Sequence, residues 1–120
     1  MTEAEDELAR LRDAIDRVDE VLVKLLNQRA KYAVEIGEIK GLLSLPIYAP
    51  EREKEVLLHV ERTSTGPLQE AAVRRLFERI IDESRRVERE SAAPSAAAHH
   101  TAGNLGVERR APGAEEPSVS

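Results

Sequence analysis

The chain has 120 residues, 41% hydrophobic, 34% charged and 2% aromatic, with a net charge of −5 and no Cys. That length allows one domain, the negative charge disfavours a polyanionic partner such as nucleic acid, and the absence of thiols excludes disulfides and thiolate metal sites. The acidic start "MTEAEDELARL" lacks the apolar run of a secretory signal, and no window approaches the roughly 18 apolar residues of a membrane span, so a soluble, cytoplasmic protein without a membrane partner is expected.

Residues 5–40 contain no Pro, and Leu8, Leu11, Ile15, Val18, Leu22, Leu25, Tyr32, Ile36 and Ile39 recur at helical steps. This spacing predicts one long helix with a narrow, coiled-coil-like seam, in which Gly37 is the helix-weakening residue. At 1.5 Å per residue the helix would be roughly 50 Å long, more than the rest of a small monomer can cover, so a second copy of the chain is the expected cover. The pattern breaks over residues 41–49, and Pro50 stands at the first position of a second helix, expected over 50–62 with Val56, Leu57 and Val60 inward. Arg52 is unusual in that first turn, where exposed N–H groups favour carboxylates, although Glu51 and Glu53 offset it. "RTSTGPL" reads as a loop in which Gly66 takes a turn conformation and Pro67 opens a third helix, running to about residue 90 with Leu68, Ala72, Val73, Leu76, Phe77, Ile80, Ile81, Ser84 and Val87. The fold class is therefore all-α, with long, short and medium helices around an aliphatic core.

From residue 91 the composition shifts to Ala, Ser, Gly and Pro, with Leu105, Val107 and Val119 as the only large aliphatics. Such a segment buries too little apolar surface to offset its ordering entropy, so 1–90 reads as the folded domain and 91–120 as a disordered low-complexity tail or linker. His99 and His100 lack a third ligand, and no metal site is assigned to them.

The informative residues interrupt the apolar rows. Arg29 occupies the seam between Leu25 and Tyr32, where a guanidinium must reach water or meet an anion. Lys40, eleven residues on, faces within about 20° of it, whereas Arg12, seventeen residues earlier, is about 100° away and suits the pocket of a partner chain. On the third helix the row Phe77, Ile81, Ser84, Glu88 ends in a hydroxyl and a carboxyl. Each alone has an ordinary explanation, since a seam Arg snorkels or pairs with Glu and a helical Ser is a tolerated small residue. Together, Arg29, Lys40, Arg52, Glu53, Ser84 and Glu88 come from all three helices, and their packing would make a mostly cationic cavity suited to a small dianion. Ser84 with His59 as nucleophile and base has nothing to place the two together. Fixed cations without a nucleophile still catalyse by holding a flexible substrate in its reactive shape and stabilising developing charge.

"LRDAIDRVDEVLVKLLNQRAKYAVEIGEIK" followed by "PIYAPERE" resembles the all-helical chorismate mutases over residues 7–90, with L-R-x-x-I-D-x-x-D at the start, L-x-x-R along the first helix and R-E opening the second. The resemblance implies an intertwined homodimer whose long helices pair, each site built from both chains. It implies a cofactor-free Claisen rearrangement of chorismate to prephenate in phenylalanine and tyrosine biosynthesis. Arg29 would bind a substrate carboxylate together with Arg12 of the partner subunit. Lys40 would serve the second carboxylate and the ether oxygen, Glu53 the ring hydroxyl, Arg52 a carboxylate, and Ser84 would add a hydrogen bond. Lys40→Ala is then expected to remove turnover and spare the fold. Two positions depart from the family pattern. Ala49 stands in place of a frequent Asp, and Glu88 stands where many members have Gln, whose amide N–H points at the ether oxygen. An ionised carboxylate cannot donate that bond, so Glu88 is expected to work protonated and to favour acidic pH. An isochorismate pyruvate-lyase on a very similar scaffold is the alternative enzyme, against which the Arg52-Glu53 helix start weighs. A non-catalytic dimerisation or regulatory module is the other alternative, against which the retained cations weigh.

Overall fold

A computed structural model describes residues 2–92, which form α1 (Glu3–Leu43), α2 (Pro50–Thr63) and α3 (Glu70–Ala92), with no strand among the described residues. The tail expected from residue 91 lies, after Ala92, outside the described residues, and so do His99 and His100. Residues 1–30 and those from 31 onward form two units.

In the first unit, α1 starts at a reciprocal cap. The Thr2 backbone N–H donates to Glu5 Oε1 at 2.9 Å, and the Glu5 N–H donates to Thr2 Oγ1 at 3.0 Å. This capping box satisfies two helix-end donors, and Glu3, Glu5 and Asp6 complement the positive end of the helix. Arg10 pairs with Glu7 and Arg17 with Asp13 on the solvent side. Leu8, Leu11, Ile15, Val18, Leu22 and Leu25 keep the predicted seam spacing yet are 46–57% exposed. Nothing within residues 1–30 can cover that row, because a single helix has no second face to fold over it.

The second unit packs the end of α1, α2 and α3. Ala33, Ile36 and Gly37 are the buried residues of α1. At Gly37 the α3 backbone comes close: a Cβ there would lie 2.4 Å from the Glu88 carbonyl oxygen and 2.7 Å from its Cα, so any side chain forces α3 to shift. One turn on, a Cβ at Gly41 would sit 3.0 Å from the Ala92 carbonyl oxygen. α1 then ends in a Schellman motif, with the Leu45 N–H on the Lys40 carbonyl at 2.8 Å and the Ser44 N–H on that of Gly41 at 3.3 Å. The residue this motif places in the left-handed region is Ser44, with φ 56°, rather than a glycine.

Pro50 occupies the expected first position of α2, and Ala49 caps the helix without a side-chain bond, its carbonyl accepting the Glu53 N–H at 3.0 Å. Val56 and Leu57 pack on Ile81, with Phe77 against them. Two ion pairs join the helices, Glu53 to Arg85 and Glu61 to Arg74, so α2 and α3 run antiparallel. The third helix differs from the expectation at its start. It opens at Glu70 rather than at Pro67, because the Ser64 hydroxyl claims the Leu68 carbonyl at 2.7 Å and the Gln69 carbonyl accepts the first helical N–H groups, those of Ala72 and Val73. Gly66, at φ 96°, makes the turn before it. Leu68 and Leu76, counted with that helix's apolar residues, are 53% and 56% exposed.

Candidate active site

Along α3, Ile81, Ser84 and Glu88 are buried in sequence on one face, as a row at helical spacing must be when its helix packs. Glu88 is 2% exposed and its Oε1 accepts from Lys40 Nζ at 2.7 Å. The same ammonium donates to the Ile47 carbonyl at 2.8 Å, which the chain reversal after α1 brings back over Lys40. A carboxylate and an ammonium this far from water are tolerated because each compensates the other's lost hydration. Removing Lys40 takes this ammonium from the buried Glu88 carboxyl, which weighs against the expectation that Lys40→Ala spares the fold.

Two residues from the first turn of α2 face the same place. Arg52 donates from Nη1 to Glu55 Oε1 at 3.2 Å, while its Nε is buried without a hydrogen-bond partner among the described residues. A buried donor of this kind is uncommon in a folded chain and is relieved by an anionic acceptor. Glu53 accepts from Arg85, whose Nε lies 2.7 Å from Oε2 and whose Nη2 lies 3.4 Å from Oε1. Arg85 also reaches Asp82 Oδ1 at 2.9 Å and lies 5.5 Å from the centre of the Tyr48 ring. The Glu53 hydrogen bond, chiefly, holds the Arg85 guanidinium above its ordinary pKa.

These side chains line a cleft of about 260 Å³, part of it open to solvent. Lys40, Arg52 and Arg85 are its cations, Glu53 and Glu88 its carboxylates, Ser84 its hydroxyl, and Ile47, Ala49 and Ile81 its apolar walls. Cations outnumber carboxylates within a chain that is acidic overall, so the cleft favours an anion more than the protein surface does. Of the residues expected at the site, Lys40, Arg52, Glu53, Ser84 and Glu88 meet here. Arg12, exposed, and Arg29, half-buried, belong to the unit of residues 1–30. His59 is exposed on α2 and does not line the cleft, which leaves Ser84 without it as a base.

Sequence patterning passes over Arg85. Asp82, three residues before it, makes it read as a surface ion pair, while its Glu53 partner lies 32 residues away. The one available signal is that Arg85 follows Ile81 by one helical turn and so shares its face. Among the described residues no cluster of His, Cys, Asp or Glu is placed to hold a metal ion, and no helix is long and apolar enough to cross a membrane.

Among the described residues there are three helices and no strand, and the cleft they carry holds more cations than carboxylates, which defines an all-helical domain with an anion-suited site. The sequence pattern of the family described as chorismate mutase type II matches residues 11–89, and the chain belongs to that family. It is 44% identical over 78 residues to the bifunctional chorismate mutase/prephenate dehydratase of Neisseria gonorrhoeae, a match covering 65% of this chain and 21% of that protein. The chorismate mutase of Methanocaldococcus jannaschii is 41% identical over 51 residues, 42% of this chain and 52% of that one. Among solved structures, chorismate mutase (form II) from Thermus thermophilus superposes with a TM-score of 0.67 at 34% identity, covering 68% of this chain and 93% of that chain. The chain thus spans about a fifth of the length of the bifunctional relatives it matches.

Proposed function

We propose that the chain is a chorismate mutase that rearranges chorismate to prephenate in phenylalanine and tyrosine biosynthesis, without a cofactor. The observation that carries this reading is the cleft in which the Lys40 ammonium and the buried, unpartnered Nε of Arg52 converge. Chorismate is a dianion whose rearrangement breaks a C–O bond, so charge builds on the ether oxygen as the new C–C bond forms. A fixed ammonium stabilises that charge more in the transition state than in the ground state, which is what lowers a barrier. Lys40 takes this role together with one substrate carboxylate. Arg52 supports a carboxylate, Glu53 accepts the ring hydroxyl and Ser84 adds a hydrogen bond. Arg29, with Arg12 of the partner subunit, takes the other carboxylate.

Glu88 accepts a hydrogen bond from Lys40 in the cleft. As a carboxylate it repels charge on the ether oxygen and competes for the ammonium; as an acid it donates a hydrogen bond to that oxygen. A hydrogen-bond donor at position 88 therefore serves the step better than a carboxylate.

The homodimer is part of the same reading. Its support is the apolar row from Leu8 to Leu25, 46–57% exposed along a helix that has nothing else within its unit to pack on. A second copy of the same row, intertwined with the first, buries it.

The test is to incubate the protein separately with chorismate and with isochorismate and to identify the products. Prephenate from chorismate supports the proposal. Pyruvate released from isochorismate, with chorismate untouched, replaces it with the lyase, and no change in either replaces it with a non-catalytic module.

A further inference from the structure

Two ion pairs tie α2 to α3, and they differ in where they stand. Arg74 and Glu61, 2.9 Å apart, lie away from the cleft, whereas Arg85 and Glu53 line it. The geometry points to Arg85 as a positioning residue that holds the Glu53 carboxylate toward the cleft, ready to accept a hydroxyl of the bound ring. This inference rests on the proposed mutase reading.

Glu53 is attached to the first turn of α2, with a side chain of three rotatable bonds that is 20% exposed. Left alone, such a carboxylate turns to water. Arg85 approaches it with two nitrogens of its rigid fork, and that charge-assisted contact constrains direction as well as distance. The contact is uneven: Nε is 2.7 Å from Oε2, but Nη2 is 3.4 Å from Oε1. Oε2 is therefore the anchored oxygen, and Oε1, only weakly engaged by Arg85, keeps acceptor capacity for a ligand O–H. Arg85 is itself held from two further directions. Asp82 receives Nη2 at 2.9 Å from α3, and the Tyr48 ring, in the connection before α2, lies 5.5 Å from the guanidinium carbon. The fork that orients Glu53 thus draws on three segments and does not depend on the substrate. Preorganising an acceptor in this way removes the cost of ordering it when the ligand arrives.

The experiment is a double-mutant cycle on kcat/KM for chorismate with wild type, Arg85→Met, Glu53→Gln and the double variant, alongside Arg85→Lys and Arg74→Met. Arg85→Met is expected to lower kcat/KM about tenfold in the wild-type background and to change it less than about twofold in the Glu53→Gln background, because its effect passes through Glu53. Arg85→Lys recovers only part of the loss, since a single ammonium cannot make the two-nitrogen contact. Arg74→Met, which removes the other tie between the same helices, leaves kcat/KM at the wild-type value. If Arg85→Met is too unstable to assay, Arg85→Lys takes its place in the cycle, with a smaller loss in the wild-type background that again largely disappears in the Glu53→Gln background. An Arg85 effect of equal size with and without the Glu53 carboxylate, or none at all, overturns this inference alone. A wild type that leaves chorismate unchanged overturns it together with the proposed function.

Discussion

Gly37→Ala is the smallest change that reaches the site through the backbone. The added Cβ would lie 2.4 Å from the Glu88 carbonyl oxygen, where ordinary contact begins at 3.4 Å, so α3 must withdraw by the difference, about 1 Å, at Glu88. The clash is with main chain, so no rotamer change relieves it. Moving Glu88 that far stretches its 2.7 Å bond to Lys40 toward about 3.7 Å, beyond hydrogen-bonding range. On stability, overpacking costs about 1–3 kcal/mol, and replacing a helical Gly by Ala returns about 1 kcal/mol, leaving a net loss of about 0–2 kcal/mol. Activity suffers more, because displacing a catalytic group by about 1 Å costs on the order of a hundredfold in kcat/KM. The assay pairs chorismate turnover with a urea unfolding curve for Gly37→Ala and for Gly41→Ala. At Gly41 the new Cβ would sit 3.0 Å from the Ala92 carbonyl oxygen, so only a few tenths of an ångström are needed, and both readouts stay near wild type. A Gly37→Ala protein that gains about 1 kcal/mol and keeps full turnover would refute the claim that this close approach sets the Lys40–Glu88 geometry.

Three further outcomes are expected. Lys40→Ala abolishes measurable turnover and lowers the urea midpoint by taking the ammonium from the buried Glu88 carboxyl; adding Glu88→Gln recovers the midpoint but not the activity, and a single variant as stable as wild type would contradict the buried pair. Glu88→Gln raises kcat several-fold at neutral pH, because an amide N–H replaces a carboxylate that repels charge on the ether oxygen; an unchanged or lower kcat would remove that contact from position 88. Ser44→Gly, at the left-handed residue that ends α1, raises stability by up to about 1 kcal/mol with kcat unchanged, and a lower urea midpoint would contradict the assigned helix end.

Much of the fold was readable because hydrophobic spacing and proline placement are local signals. The three helices follow from Leu8 to Ile39, from Pro50 and from the row ending at Glu88, each within a few residues of where the sequence puts it. The start of α3 was misplaced because Pro67 fits a first helical position equally well. What decides is where the Leu68 carbonyl goes, and it goes to Ser64. Five polar residues of the cleft were also readable, because a charge or hydroxyl within an apolar row must meet something. Gly37 was not, since a missing side chain looks like a weak point in a helix until the Glu88 backbone is seen against it. Arg85 was hidden by a plausible nearby partner, and Ser44 by ordinary composition in a turn that usually favours glycine. These features depend on pairings distant in sequence or on a single dihedral angle, which periodicity does not encode.

The most direct test of the account is a proton NMR time course of chorismate with wild-type protein and with Lys40→Ala/Glu88→Gln. Wild type is expected to form one prephenate for each chorismate consumed, with no pyruvate, and the folded double variant to show only the uncatalysed rate. Chorismate consumed equally fast by both proteins, or left unchanged by wild type, would contradict it.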